Sequence, residues 1–595
     1  MTHTRRRVLK NTASATAGAF FIGNSARADD ILEVDSQFTG SIQNVPRWEN
    51  TLPVPTPAAP LSTGQLPDAY MGRAVGDVFH KTAPEFFNAP EDWNLQNMQY
   101  YGVAAGSGVS RPLPPSMGLT TPIWGYALMR PDGTYGPVQS PGPQYRFRIG
   151  QPAVIRTFNN LPEEIGTHFH GGHWPSHSDG HASFFCLPGE ARDYFYPNAL
   201  PRLKDGSFDI SESPSSMWYH DHAADMTALH VARGMAGTLP CFDDLELDLI
   251  KNGVLPGIPG KSNVGPSFEN PYDVYLALSD KVFHPSGELW YDNNNHNGYL
   301  GNVETINGAA YPRFTVEARK YRFRLLGAST ARHRRLRLSD NSTMLRIGND
   351  AWLFPYGQEV QAVAISPGKR ADLIIDFSKY KPGTQVYLEN ILHQVNERGP
   401  DGSLEQSDHH LVAGKPEFVH QLMRFDVVAA DASVPNASIT AKTFLRPHER
   451  IQDSEVEVRR LFRFERKNGH WAINGAFYDE HIANAVPRLG SVEEWTLENG
   501  AGGWWHPIHI HLESHQNVRN LTTKRAPFYH NSFKQDTTML GPNSSIVIRM
   551  RFRTFLGPFM FHCHNNEHED LEMMFQFEVA EAASKRALPV KRFFA

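Results

Sequence analysis

Residues 540–549 read LGPNSSIVIR, a tight turn opening onto an alternating, β-branched run, and the same unit stands twice earlier as LPGEARDYFY (187–196) and SPGKRADLII (366–375). A Gly/Pro turn leading into period-two apolar residues is a strand signal, and its recurrence marks structural repeats. TINGAAYP (305–312) likewise returns as AINGAFYD (472–479). The copies differ downstream of the turn. SMWYHDH (216–222) comes after the first copy and FMFHCH (559–564) after the third, whereas QVYLEN (385–390) after the second holds no histidine. Tyr145–Ile149, Tyr321–Leu325, Leu373–Phe377 and Ile546–Phe552 add strand signals, and long helical periods are few. The pattern predicts an all-β chain of three similar β-sandwiches near 86–245, 260–393 and 441–580, the middle one without the histidine pair. The Pro-rich segment 29–85 reads as an extended arm, and 394–440 as a long connection between the second and third sandwiches.

The bulk numbers agree with a multidomain soluble protein: 595 residues, 40% hydrophobic and 20% charged. No apolar run is long enough to span a bilayer. Thr4-Arg5-Arg6-Arg7-Val8-Leu9-Lys10, a mildly apolar stretch through Ile22 and then Ala26-Arg27-Ala28 have the layout of a twin-arginine export signal over residues 1–28. Its removal takes five of the 57 basic residues and no acid, leaving 52 against 63 acidic ones, a net charge of −11. Such a chain has no general attraction to nucleic acid or to anionic membranes. The expected location is the periplasm or the exterior, reached in the folded state.

The histidines carry the chemistry. On a strand, alternate side chains share a face. MFHCHNNEHEDLEMM (560–574) reads as the last strand of its sheet, with His562 and His564 on one face and Cys563 on the other. THFHGG (167–172), WYHDH (218–222) and WWHPIHIH (504–511) supply the further same-face pairs His168/His170, His220/His222 and His509/His511. These eight imidazoles exceed the need of one or two tetrahedral ions and suit three copper ions with open positions. His506, Cys563, His568 and Met573 remain: two imidazoles, a thiolate and a thioether, the ligand set of a blue-copper electron-transfer site. Zinc has no use for the thioether and carries no electrons. With Cys563 a ligand, Cys186 and Cys241 are left to pair as a disulfide in an oxidising compartment. His173, His177, His181 and His230 read as solvated loop histidines.

In order and spacing, His-x-His-Gly, Trp-x-His-x-His, His-Pro-x-His-x-His and His-Cys-His-x-x-x-His with Met573 resemble the multicopper oxidases of the three-domain laccase type, over about residues 90–580. HFHGG…SDG (168–180), WYHDHAADMTALHVARGMAG (218–237) and FHCHNNEHEDLEMM (561–574) are most similar to bacterial spore-coat laccase and bilirubin oxidase. The resemblance implies three cupredoxin-like Greek-key sandwiches and four copper ions. His506, Cys563 and His568, with Met573 axial, would hold a type 1 copper; His168 and His509 a type 2 copper; His170, His220, His222, His511, His562 and His564 a type 3 pair. Asp179 and Glu569 match acidic residues that the family uses near the cluster, as proton relays. The implied reaction oxidises a donor one electron at a time and reduces dioxygen to water. A phenol, an aromatic amine or a bilirubin-like tetrapyrrole is the expected donor. Oxidation of Mn(II), Cu(I) or Fe(II), and a non-enzymatic copper carrier, are the alternatives.

Overall fold

The three turn-then-strand copies occupy one structural position. In a computed structural model describing residues 40–61, 97–203, 205–260, 270–292, 297–394, 396–400, 420–524, 532–584 and 586–589, each copy supplies the outer strand of the same three-strand motif. Ala191–Tyr196 pairs antiparallel with Ala153–Asn159, which runs parallel to Gln99–Ser110. Arg370–Asp376 stands in the same relation to Lys320–Gly327 and Asp273–Phe283, and Ser545–Phe552 to Ser491–Asn499 and Val456–Lys467. Parallel pairing needs a crossover between sheets, so each repeat closes as a two-sheet sandwich and not as a meander.

The first sandwich sets that sheet, edged by Thr121–Leu128, against Phe147–Arg148, Ala236–Phe242, Ser216–Asp221 and Thr167–His170. The third sets its own against Thr537–Leu540, His506–Ile510, Gly557–Cys563 and Met574–Val579. Aromatic and aliphatic side chains from both sheets fill each interior: Phe147, Phe169 and Tyr194 in the first, Phe323 and Leu336 in the second, Trp495 and Phe561 in the third. No helix among the described residues is long and apolar enough to cross a membrane.

Several expectations are corrected. Gly557–Cys563 is not the last strand, because Met574–Val579 pairs along its far side. The segment 394–440 is more than a connection: His420–Val428 joins the second sandwich between Gln385–Asn390 and Arg313–Glu317. The run Tyr145–Ile149 contracts to the strand Phe147–Arg148, and Leu373–Phe377 stops at Asp376, whose carboxylate accepts the Ser378 amide and starts a turn of 3-10 helix. Cys186 and Cys241 form no disulfide. Both are buried free thiols; Cys186 aims Sγ at the carbonyls of Thr157 and Glu190, while Cys241 sits in the opposite sheet beside Phe147. Within the arm expected over 29–85, residues 40–61 are described: Thr51 bridges to Arg313 of the second sandwich, Pro57 and Leu61 to Gln144 and Tyr100 of the first. The export signal expected at 1–28 lies outside the described residues.

One fully buried side chain touches all three sandwiches. Arg370, from the second, donates to both carboxylate oxygens of Asp536 in the third and, through Nε, to the Ser216 carbonyl of the first at 3.2 Å. A fork-to-fork pair removed from water is costly to break, because the surviving partner keeps its charge without compensation. Arg370→Met is therefore expected to destabilise the protein by about 3–5 kcal/mol. Thermal unfolding of the variant should start well below that of the parent, and adding Asp536→Leu should recover part of the loss.

Candidate metal centre

Strand register explains how one sheet serves two sites. Ile508 faces Cys563 and His509 faces His562 across the pair His506–Ile510 and Gly557–Cys563. Directly opposed residues share a sheet face and their neighbours take the other. His509, His562 and, just past the strand ends, His511 and His564 thus leave the third sandwich on its outer side. Cys563 and Ile508 point inward, into the same apolar core as Met573. In the first sandwich His168 stands opposite His220, and His170 and His222 follow at period two. The two histidine-bearing faces meet. All eight of these imidazoles are buried.

Within the contact they sort into groups. His168 Nε2 and His509 Nε2 are 3.1 Å apart. His170 Nε2 lies 3.0 Å from His220 Nε2 and 3.2 Å from His564 Nε2. His562 Nε2 lies 3.0 Å from His222 Nε2 and 3.4 Å from His511 Nε2. On the inner face, His506 Nδ1 is 3.1 Å from His568 Nδ1 and 3.4 Å from Cys563 Sγ.

The outer ring nitrogens decide what these contacts are. His168 Nδ1 donates to the Asp179 carbonyl (2.5 Å), His220 Nδ1 to the Asp221 carbonyl (2.7 Å) and His509 Nδ1 to the Asp536 carbonyl (2.8 Å). His511 Nδ1 meets Asp179 Oδ2 (2.8 Å), His562 Nδ1 meets Glu569 Oε2 (3.1 Å), and His568 Nε2 donates to the Asn297 carbonyl (2.8 Å). An acceptor-only partner fixes the proton on the outer nitrogen of a neutral ring, so the inner nitrogen carries a lone pair. His168 and His509 then face lone pair to lone pair. No hydrogen bond satisfies that arrangement. A cation does, and the donor set suits copper.

Electrostatics agree. Burial holds His506 and His564 at about 3 and His222 at about 4, below the ordinary imidazole range, and lowers His168, His170, His220, His509, His511 and His568 as well. These rings are neutral. Burial pushes the Cys563 thiol well up, so its thiolate needs a metal beside it. Met573 is tied by backbone hydrogen bonds to both Cys563 and His568 and shares their apolar core, whereas Met574 packs on the other side with Met560 and Ala224.

The two acids expected near the cluster are there, both buried. Asp179 is not a surface residue: burial raises its pKa well above the usual carboxylate range. Glu569, on the short helix Asn566–Asp570, goes the other way; burial opposes ionisation, but His562 and His222 outweigh it. Its Oε1 also takes the Thr227 hydroxyl at 3.0 Å and lies 3.5 Å from His222 Nε2. Three histidines read as solvated are buried. His230 donates to Asp221 at 2.6 Å from the helix Thr227–Arg233, His181 meets Gln576, and His173 contacts Leu512 and Glu513. His177 stays half-buried against Ser178.

Sequence reasoning missed Asp536, Trp218 and Gly368. Trp218 stacks on His170 and His220, with centroids 4.5 and 4.6 Å away. Gly368, in the middle repeat that lacks the histidine pair, has φ +77°, and a Cβ there would come within 2.6 Å of the His564 ring. Gly368→Ala is expected to displace His564 and lower the copper content of the cluster while leaving the blue absorption of the Cys563 site intact. Metal analysis alongside the visible spectrum checks this.

Similar proteins point the same way. Multicopper oxidase family models match residues 137–244 and 450–583. A bilirubin oxidase from Albifimbria verrucaria is 32% identical over 454 residues, covering 74% of this chain and 71% of that protein. A laccase from Bacillus stratosphericus is 27% identical over 532 residues, covering 80% and 92%. In fold, a laccase from Pediococcus acidilactici superposes with a TM-score of 0.67 at 24% identity, over 91% of this chain and 95% of that one. A Campylobacter jejuni multicopper oxidase described as a metallo-oxidase gives 0.61 at 21%, over 89% and 99%. The chain belongs to the multicopper oxidase family, copper oxidoreductases with dioxygen as the acceptor.

Proposed function

We propose that the protein is a laccase-like oxidase of small aromatic or tetrapyrrole donors, loaded with four copper ions. His506, Cys563, His568 and Met573 hold the first, His168 and His509 the second, His170, His220 and His564 the third, and His222, His511 and His562 the fourth. The observation that carries this reading is the inward lone pairs of His168 and His509, left without a proton between them. Copper supplies one-electron oxidation of the donor at the Cys563 site and reduction of dioxygen to water at the cluster. The chain does the rest. Peptide links join Cys563 directly to His562 and His564, so the two sites are a few covalent bonds apart. A small cavity, lined by His168, His509, Asp179 and Asp536 among others, adjoins the cluster on one side. Asp179, beside His511, and Glu569, beside His562 and His222, are placed to carry protons toward the cluster.

The surroundings of His568 weigh against a metal-ion donor. Arg466 and Arg398 lie over its neighbouring tryptophan, and a cationic substrate would meet like charge. A mere carrier of copper has no need of a cysteine spliced between two cluster ligands. We also propose export by the twin-arginine route, on the strength of Arg5 and Arg6 ahead of the apolar stretch.

Oxygen uptake with 2,6-dimethoxyphenol, run beside Mn(II) and Cu(I), tests the donor assignment; turnover of the metal ions alone would refute it. The loaded enzyme should hold about four coppers per chain. Cys563→Ser should abolish the blue colour and donor oxidation together. Glu569→Gln should retain copper and be reduced by donor at the parent rate, but its reoxidation by dioxygen should slow about tenfold or more. Stopped-flow recording of the blue band separates those half-reactions, and copper loss in place of slow reoxidation would make Glu569 a positioning residue.

A further inference from the structure

The side chains above the Cys563 site form a mouth of unusual charge. Trp471 and Trp504 are buried, and their ring centroids lie 3.9 and 5.4 Å from that of His568. The Arg466 guanidinium carbon stands 3.9 Å from the Trp471 ring and 4.9 Å from Trp504, and that of Arg398 stands 5.6 Å from the same Trp504. Both arginines are exposed. Arg466 also donates to the Asn297 side chain, whose backbone carbonyl accepts His568 Nε2–H at 2.8 Å. The outermost cation is therefore two hydrogen bonds from the buried imidazole.

The other arginines of the strand Val456–Lys467 are neutralised. Arg459 pairs with Asp453 and Glu494, Arg460 with Glu493, and Arg463 with Glu465 and Glu498. Arg466 breaks the pattern: among the described residues it rests on aromatic rings and an amide, with no carboxylate in ion-pair contact, and the same holds for Arg398. Partial desolvation against the tryptophan rings and the repulsion of Arg398 pull the Arg466 guanidinium below its ordinary range, and nearby Glu397 offsets part of this. Stacking uses the face of a guanidinium and leaves its N–H edge for a planar oxyanion.

Resting on the donor site assigned to Cys563 and His568, we propose that Arg466 and Arg398 select aromatic donors bearing a carboxylate, which bridges the two guanidinium edges while the ring lies against the His568 side of the mouth. A carboxylate caught between two such groups gains charge-assisted bonds that an amide of the same shape lacks.

Calorimetry on the copper-loaded protein tests this with 3-phenylpropanoate and 3-phenylpropanamide, which are not oxidised. The carboxylate should bind about tenfold more tightly than the amide, and the difference should shrink as ionic strength rises from about 0.02 to 0.5 M. Arg398→Gln, which spares the Arg466–Asn297 bond, should remove part of the preference with the blue band unchanged, and Arg398→Gln/Arg466→Gln should remove all of it. Equal binding of the two ligands by the parent protein, or a preference that survives in the double variant, overturns the proposal. The same pair carrying a 4-hydroxy-3,5-dimethoxyphenyl ring should show the preference in KM. Selective binding of the carboxylate without oxidation of either phenol would refute the donor assignment and leave the anion mouth standing.

Discussion

Inward-facing lone pairs govern the centre of this molecule. Histidines of the cluster whose outer nitrogen meets a main-chain carbonyl give their proton outward, so that between His168 and His509 nothing can be shared except a cation. The acceptors are main-chain carbonyls, those of Asp179, Asp221 and Asp536, and at the Cys563 site that of Asn297. A carbonyl cannot be protonated or rotated away as a side chain can. Ring orientation is thereby set by the course of the backbone, and the loops beside the strands are as much a part of the site as the histidines.

Among the described residues the middle sandwich adds no histidine to the cluster, yet it holds the site together. Its own copy of the repeated turn, SPGKRADLII, presses Gly368 against His564 and sends Arg370 to Asp536, whose carbonyl orients His509. Lys369 meets Asp350, which in turn caps the amides of Asp536 and Thr537. The turn that leads to histidines in the outer repeats has become a buttress in the central one. Strength and chemistry have been divided among copies of one motif.

The same-face histidines and the repeats were legible because both obey local rules. Period two puts His509 and His511, or His562 and His564, on one side wherever the strand lies, and Cys563 on the other. The repeated turn is recognisable from glycine, proline and the β-branched run alone. The hidden features depend on distant partners. His230 is buried only because a helix returns it to Asp221, and Asp536 acts through a carbonyl that any residue would possess. Gly368 matters for a ring nearly two hundred positions away. The strand His420–Val428 owes its place to Gln385–Asn390 and Arg313–Glu317, and the thiols of Cys186 and Cys241 are kept apart by sheets that their spacing does not reveal.

His168 and His509 face each other across 341 positions of chain, and His170 and His564 across 394. During synthesis the first sandwich is complete long before the strand Gly557–Cys563 leaves the ribosome, and until then its four histidines have nothing to close upon. An incomplete chain thus offers metal ions open, low-denticity sites, and the full set of ligands arises only at the last docking step. Metal capture is in this way deferred to a finished fold, and a chain truncated before that strand forfeits both sites at once.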